Sequence, residues 1–130
     1  MLSRLASFFA FALLAGCGTP AAVPTPQPPP DAELGLRELG EVFKYRAGQK
    51  APAPTRAEDL AENAGAVDNA LPLINDGHVV VFWRVSYSPT STEVLAYQKS
   101  AATAGGKVLL RNGTVKEMTA AEFAAAPKAK

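Results

Sequence analysis

The side chains best suited to covalent chemistry in this 130-residue chain are its single cysteine and its single histidine, Cys17 and His78. Cys17 follows Leu14-Ala15-Gly16, so the thiol stands directly after two small residues. A thiolate is a strong nucleophile, and a lone cysteine cannot close a disulfide within its own chain. Cys17 is therefore not expected to cross-link the fold of its own chain.

The residues before Cys17 form a short apolar stretch. Arg4 supplies a positive charge, and residues 5–14 are apolar or small. The stretch is shorter than the roughly 20 apolar residues that span a bilayer, but it suits the core of a signal peptide. Together with Leu14-Ala15-Gly16-Cys17, it resembles the signal peptide of bacterial lipoproteins. The alternatives are an ordinary secretory signal and a buried N-terminal helix.

The lipoprotein resemblance implies cleavage after Gly16, a diacylglyceryl group on the Cys17 sulfur and a further acyl chain on its amine. Two or three such chains make membrane attachment effectively permanent, since each buried methylene contributes about 0.8 kcal/mol. Gly18 follows the cysteine, in place of the aspartate that often retains lipoproteins at the inner membrane. The predicted location is the bacterial cell envelope, with the outer membrane favoured over the inner one.

The chain divides into four segments on composition. Residues 1–16 are the predicted signal peptide, and residues 17–30 comprise the lipidated cysteine and a proline-rich tether. Extended proline-rich chain rises about 3.1 Å per residue, so this tether could hold a domain some 40 Å from the bilayer. A ligand for a proline-reading module is the alternative interpretation. Residues 31–126 are the predicted domain, and residues 127–130 a flexible tail.

Charge and composition exclude some partner classes. Thirteen basic and twelve acidic residues give a net charge of +1 with no basic cluster, so no nucleic-acid partner is expected. The expected partners are the membrane, through the lipid, and another envelope protein. No cofactor is expected.

The first half of the predicted domain has helical features. Asp31 is a candidate N-cap, and apolar residues recur at helical spacing up to a stop at Gly48. Thr55-Arg56-Ala57-Glu58 has the form of a capping box that opens a second short helix through about Asn63. Residues 64–74 are predicted to be irregular.

The second half has strand features. Residues 78–86 are β-branched and aromatic, which predicts a central strand, and a second strand is expected over about residues 93–99. Residues 107–111 and 114–118 form a predicted hairpin around Asn112-Gly113, with Leu110 facing Val115. A capping box at Thr119-Ala120-Ala121-Glu122 opens a short helix. The predicted fold is α+β: an N-terminal helix packed on a small antiparallel sheet of about four strands, with a short C-terminal helix.

Two segments carry a further resemblance. The first has Tyr45 near the end of a helix, then Gly48-Gln49-Lys50-Ala51-Pro52, then Asp59-Leu60. The second runs from Gly106 to Val115 and continues into Met118-Thr119 and Glu122-Phe123. Over residues 31–126 this pattern resembles the globular region of type II secretion pseudopilins and other pilin-like proteins. The resemblance implies a pilin-like head.

The chain departs from that family in two ways. It has no prepilin cleavage site and no long apolar helix, and the predicted lipid anchor takes the place of that helix. Asn112 stands where the related hairpin often has aspartate, which argues against a metal role for the turn. The resemblance therefore implies a pilin-like domain on a lipoprotein tether that does not polymerise by the usual route.

Residues outside the anchor do not form a recognisable catalytic or metal-binding motif. His78 is the one candidate base, no nucleophile-elbow motif is present, and the chain is predicted not to be an enzyme. His, Cys and carboxylate spacing predicts no metal site. Trp83, Tyr87 and Tyr97 could form a platform for a sugar or peptide, or could be core residues. Two functions remain. The preferred one is protein interaction or a structural role, and the alternative is a small-ligand-binding or enzyme-accessory lipoprotein in which Trp83, Tyr87, Tyr97 and His78 converge.

Overall fold

The computed structural model describes residues 31–130, so Leu14, Ala15, Gly16, Cys17 and the proline-rich tether lie outside the described residues. The described chain confirms the α+β prediction: helices come first, followed by four antiparallel strands and a short C-terminal helix. The helices are α1 (Ala32–Gly48), α2 (Ala70–Asn75) and α3 (Ala120–Ala125). The strands are β1 (Val79–Val81), β2 (Val94–Gln98), β3 (Gly106–Leu110) and β4 (Val115–Met118). Two 3-10 segments, Ala57–Ala66 and Lys99–Ala102, complete the set.

Helix α1 begins and ends as predicted. The Asp31 side chain accepts a hydrogen bond from the Glu33 N–H at 2.9 Å, and the last helical residue is Gly48. The buried face consists of two glycines and four apolar residues: Gly35, Leu36, Leu39, Gly40, Val42 and Phe43. A Cβ on Gly35 would lie 2.6 Å from Leu73 Cδ1, so this glycine allows α2 to approach α1 closely.

The four strands follow one another in the sheet in chain order, and every neighbouring pair is antiparallel. Adjacent residues of a strand point to opposite faces, and β3 is apolar on both. Leu109 joins the core under α1, whereas Val108 and Leu110 join the core beside α3. The sheet is therefore covered by α1 on one face and by α3 on the other.

The strand predicted over residues 78–86 is wrong in length and position. β1 spans only Val79–Val81 and lies at the edge of the sheet, not at its centre. Beyond it the chain turns away, because Arg84 has a φ of +67° and its N–H donates to the Pro54 carbonyl at 2.8 Å. At this point, the hydrogen bond to Pro54 replaces pairing within the sheet.

The β3–β4 hairpin is confirmed, but its predicted register is wrong. Val115 pairs with Leu109 rather than with Leu110. The Gly113 N–H donates to the Leu110 carbonyl at 2.9 Å, and Gly113 has a φ of +87°. This is a three-residue loop with a glycine bulge, which moves every cross-strand pair by one residue.

Residues 55–75 also differ from the prediction. Thr55 does not cap a helix; its N–H and hydroxyl donate to the Asp59 carboxylate at 2.7 and 2.8 Å, and a 3-10 segment follows. The region predicted to be irregular contains α2. Its first N–H groups are capped by Glu38 of α1, which accepts from the Asn69 and Ala70 N–H groups, each at 2.9 Å.

The C-terminal end combines a confirmed prediction with a difference. Thr119 and Glu122 form the expected capping box of α3. The tail was expected to be frayed, but it lies beside the first residue of β2: the Val94 N–H donates to the Pro127 carbonyl, and the Ala129 N–H donates to the Val94 carbonyl. Ala129 is 3% exposed and packs into the α1-side core. This burial and pairing explain why the tail has a defined place.

Candidate functional site

The described domain begins at the point where the predicted tether ends. Asp31 is the N-cap of α1, and any lipid on Cys17 would connect to the domain through this helix end. A cavity of about 470 Å³ opens at the same end, beside Ala32. It is also lined by Asp76, His78 and Lys99, so its polar side chains carry both signs of charge.

His78 is exposed and is held by its backbone rather than by its ring. Its N–H donates to the Leu73 carbonyl at 2.8 Å, and its carbonyl accepts from the Lys99 N–H at 2.8 Å. These bonds place the residue between the end of α2 and the start of β1. The imidazole borders the cavity, and among residues 31–130 no hydrogen bond or ion pair orients it as a base.

Trp83 and Tyr87 are half-buried residues on the α1 side of the sheet. Both pack against the core cluster that includes Phe43 and Leu109. Tyr87 also lines a narrow crevice with Phe43 and Pro54. Both rings therefore cover the edge of this core.

Tyr97 lies on the opposite face of the sheet. Its ring centroid is 5.8 Å from that of Phe82 and 4.6 Å from that of Phe123, so it belongs to the core beside α3. The structure therefore does not bring the four candidate binding residues together. Trp83 and Tyr87 lie on one face, Tyr97 lies on the other, and His78 borders a separate cavity.

Three carboxylates have lowered pKa values, and each has a local structural cause. Hydrogen bonds from the Thr55 N–H and hydroxyl lower the pKa of Asp59, and a hydrogen bond from Arg111 lowers the pKa of Glu93. Hydrogen bonds from the backbone and side chain of Thr119 lower the pKa of Glu122. All three groups fasten a turn, a loop or a helix start, so these shifts are explained by the fold.

Sequence reasoning missed two side chains that organise the structure. Glu38 caps a helix whose first residue is more than thirty positions away, and no local pattern indicates such a contact. Lys128 directs its ammonium group to the Phe123 and Ala126 carbonyls and lies over the Phe123 ring, 4.4 Å from its centroid. A basic residue just after a helix is a recognisable feature that could have indicated this contact.

Between residues 31 and 130, no group of three or more His, Cys, Asp or Glu side chains is placed to hold a metal ion. Over the same range, no helix is both long enough and apolar enough to cross a membrane. Comparison with family models, with curated proteins and with solved structures finds no match to this chain.

Proposed function

We propose that this chain is a lipid-anchored protein of the bacterial cell envelope whose α+β domain binds another protein or has a structural role, without catalysis. The observation that carries the proposal is Leu14-Ala15-Gly16-Cys17 at the end of a short apolar stretch. An apolar run of this length suits an exported signal, and small residues before a lone cysteine suit a lipidation site.

The distribution of polar groups supports an interaction role at the surface. Throughout residues 31–130 the buried side chains are apolar, with no buried polar or charged residue. The pKa values of catalytic groups are usually shifted by burial and by close charged neighbours. The carboxylates with lowered pKa values here instead stabilise local turns, loops and a helix start. We therefore expect the domain to act on other molecules through contacts at its surface.

The arrangement of helix and sheet supports the pilin-like part of the proposal. α1 packs across an antiparallel meander, which agrees with the fold that the pilin-like resemblance implies. In this proposal, the lipid on Cys17 replaces the apolar helix that would anchor a pseudopilin.

The alternative function, a ligand-binding or enzyme-accessory lipoprotein, required four side chains to converge. Trp83, Tyr87 and Tyr97 are divided between the two cores, which leaves His78 alone at a cavity. This division favours the interaction role. Native mass spectrometry of the purified full chain tests it, because a small molecule retained at one copy per chain would favour the alternative.

The anchor is tested by replacing Cys17 with serine in the full chain and separating membranes from soluble proteins. We expect the unsubstituted protein to sediment with membranes and to incorporate an alkyne-labelled fatty acid, and Cys17→Ser to lose both properties. Gly18→Ala is the matched control, since it leaves the thiol in place. Unchanged sedimentation of Cys17→Ser without any fatty-acid label on the parent protein would contradict the proposal.

A further inference from the structure

Helix α1 carries an exposed apolar pair on the side facing away from the sheet. Leu34 and Tyr45 are 46% and 59% exposed, and they are the exposed large hydrophobic residues of the described chain. Eleven residues correspond to about three turns of an α-helix, so the two side chains lie on one face, about 16 Å apart. Leu36, Leu39, Val42 and Phe43 hold the opposite face in the core.

Three charged residues lie along the same exposed surface between these two side chains. Arg37, Glu41 and Lys44 are all exposed, and Arg37 also forms an ion pair with Glu33 of its own helix at 2.6 Å. Leu34, Arg37, Glu41 and Lys44 follow one another at intervals of three, four and three residues, so they lie on one side of the helix. We call Leu34, Arg37, Glu41, Lys44 and Tyr45 the outer face of α1. A depression of about 340 Å³ beside Tyr45 adjoins it.

We propose that the outer face of α1 binds the same face of a second copy of this chain, with the two helices antiparallel. A register that places Arg37 opposite Glu41 of the second copy also places Leu34 opposite its Lys44. Two-fold symmetry repeats both pairs. Leu34 then packs against the Lys44 stem and the Tyr45 ring of the second copy, with the ammonium group in solvent.

Charge order along the helix specifies both the partner and the direction. A parallel pair would set Arg37 against Arg37, Glu41 against Glu41 and Lys44 against Lys44. The antiparallel pair places opposite charges next to each other at its centre. Its two helix dipoles point in opposite directions, which is also favourable. The outer face is therefore complementary to itself in the antiparallel direction alone.

The β4 edge of the sheet carries charges that do not favour self-pairing in two of its registers. The Leu110 N–H donates to the Thr114 carbonyl, and Lys116 pairs with Val108. The backbone groups of Val115 and Glu117 consequently point away from β3. Two-fold antiparallel pairings of β4 edges that are centred on Glu117 or on Lys116 would place like charges opposite each other, which is unfavourable. These registers of the β4 edge are therefore less favourable for self-association than the outer face of α1.

The expected interaction is weak in dilute solution, because its ion pairs are exposed and its apolar contribution comes from two side chains per copy. Confinement to a membrane surface raises the effective concentration of one copy near another. The pairing itself rests on residues 31–130, whereas its population in the cell rests on the proposed lipid anchor.

Disulfide trapping in membranes tests the geometry. One copy of the full chain carries Leu34→Cys, a second copy with a different tag carries Lys44→Cys, and a mild oxidant is added. We expect a disulfide-linked dimer containing both tags, since the proposed register places these side chains opposite each other. Leu34→Cys alone and Lys116→Cys alone are the matched controls, and neither should be linked.

Charge exchange tests the complementarity. Arg37→Glu and Glu41→Arg should each lower the trapped fraction about tenfold, because each replaces two attractive pairs with two repulsive ones. The double variant Arg37→Glu/Glu41→Arg should restore it. Copies carrying one single substitution each should pair with one another in preference to themselves.

Three results would overturn the proposal: no trapped dimer, trapping by Leu34→Cys alone, which indicates parallel helices, or failure of the double variant to restore trapping. The experiment is repeated in a Cys17→Ser background at high protein concentration. A disulfide dimer of the unsubstituted chain would show that Cys17 is a free thiol and would contradict the lipid anchor. The pairing of α1 would still be decided by the Leu34 and Lys44 variants.

Discussion

On the α1 side of the sheet, fifteen buried residues form one cluster, whereas the cluster on the α3 side has six. The larger cluster receives residues from α1, α2, the long 3-10 segment and the sheet. The smaller one is covered by α3, a helix of only six residues. Because apolar burial scales with area, the α1 side provides most of the hydrophobic stabilisation.

The α3 side compensates with hydrogen bonds at both ends of its helix. The capping box satisfies the start of α3, and Lys128 satisfies carbonyls at its end. Residues 127–129 then pair with Val94 and carry Ala129 into the opposite core. Caps and a docked tail can therefore hold a thin layer in place when its apolar contact is small.

The largest expected effect comes from removing a phenylalanine ring from each layer. Phe43→Ala should cost about 4 kcal/mol of unfolding free energy, and Phe123→Ala about 2–3 kcal/mol. Phe43 is 2% exposed within the larger cluster, whereas Phe123 is 7% exposed at the margin of the smaller one. Urea denaturation of both variants measures the difference. Equal costs would contradict the proposed division between the two sides.

The α1 side has one polar fastener of its own, and its removal should have the next largest effect. Glu38→Ala removes the cap of α2 and leaves the Asn69 and Ala70 N–H groups without their acceptor. The expected cost is about 2 kcal/mol by chemical denaturation. Asp68→Ala, an exposed substitution next to the same cap, should change stability by less than about 0.5 kcal/mol.

Loss of the Lys128 contacts should affect the α3 side selectively. Lys128→Met keeps an apolar stem over Phe123 but removes the ammonium donors, with an expected cost of about 1 kcal/mol. Amide hydrogen exchange should accelerate in α3 and the tail while α1 remains protected, since local opening involves the less stable layer. Lys130→Met serves as the control. Uniform acceleration across the whole domain would show that the two layers open together.

The smallest expected effect is on the pH dependence of the α3 cap. The pKa of Glu122 is lowered in the folded state by hydrogen bonds from Thr119. Its contribution to stability is therefore present above the usual pKa of glutamate and is lost as the pH falls through the lowered value. Thr119→Ala should cost about 1 kcal/mol at neutral pH.

The same variant should raise the pKa of Glu122 towards its usual value, as NMR titration of the side-chain carboxyl would show. Glu93 is the internal reference, because its pKa is lowered by Arg111 and should not move. An unchanged pKa of Glu122 in Thr119→Ala would mean that the capping box is not the cause of the shift.

Features that depend on neighbouring residues could be predicted from the sequence. The N-cap at Asp31, the stop at Gly48 and the capping box at Thr119 each act over one helical turn, and all three are present. The hairpin was also recognisable from Asn112-Gly113. Its register was not, because a two-residue and a three-residue loop both accept this pair.

Features that depend on distant residues could not be predicted. α2 has no side-chain cap of its own, and it is stabilised by Glu38 from another helix. β1 ends early because Arg84 pairs with Pro54, which is thirty residues before it. The four candidate binding residues do not converge, because Tyr97 lies on β2 and packs beside α3, whereas His78, Trp83 and Tyr87 lie in the segments that flank β1.

The sequence by itself determined the class of fold, the ends and the apolar face of α1, the start of α3 and the position of the hairpin, because caps, turns and hydrophobic periodicity depend on residues that are close together in the chain. Only the tertiary structure decided that Glu38 caps α2, where β1 leaves the sheet and that the tail docks beside Val94. Those outcomes depend on which apolar surfaces and backbone groups meet after the chain has folded back on itself. Contacts between residues that are far apart in the sequence leave no local pattern from which they could be predicted.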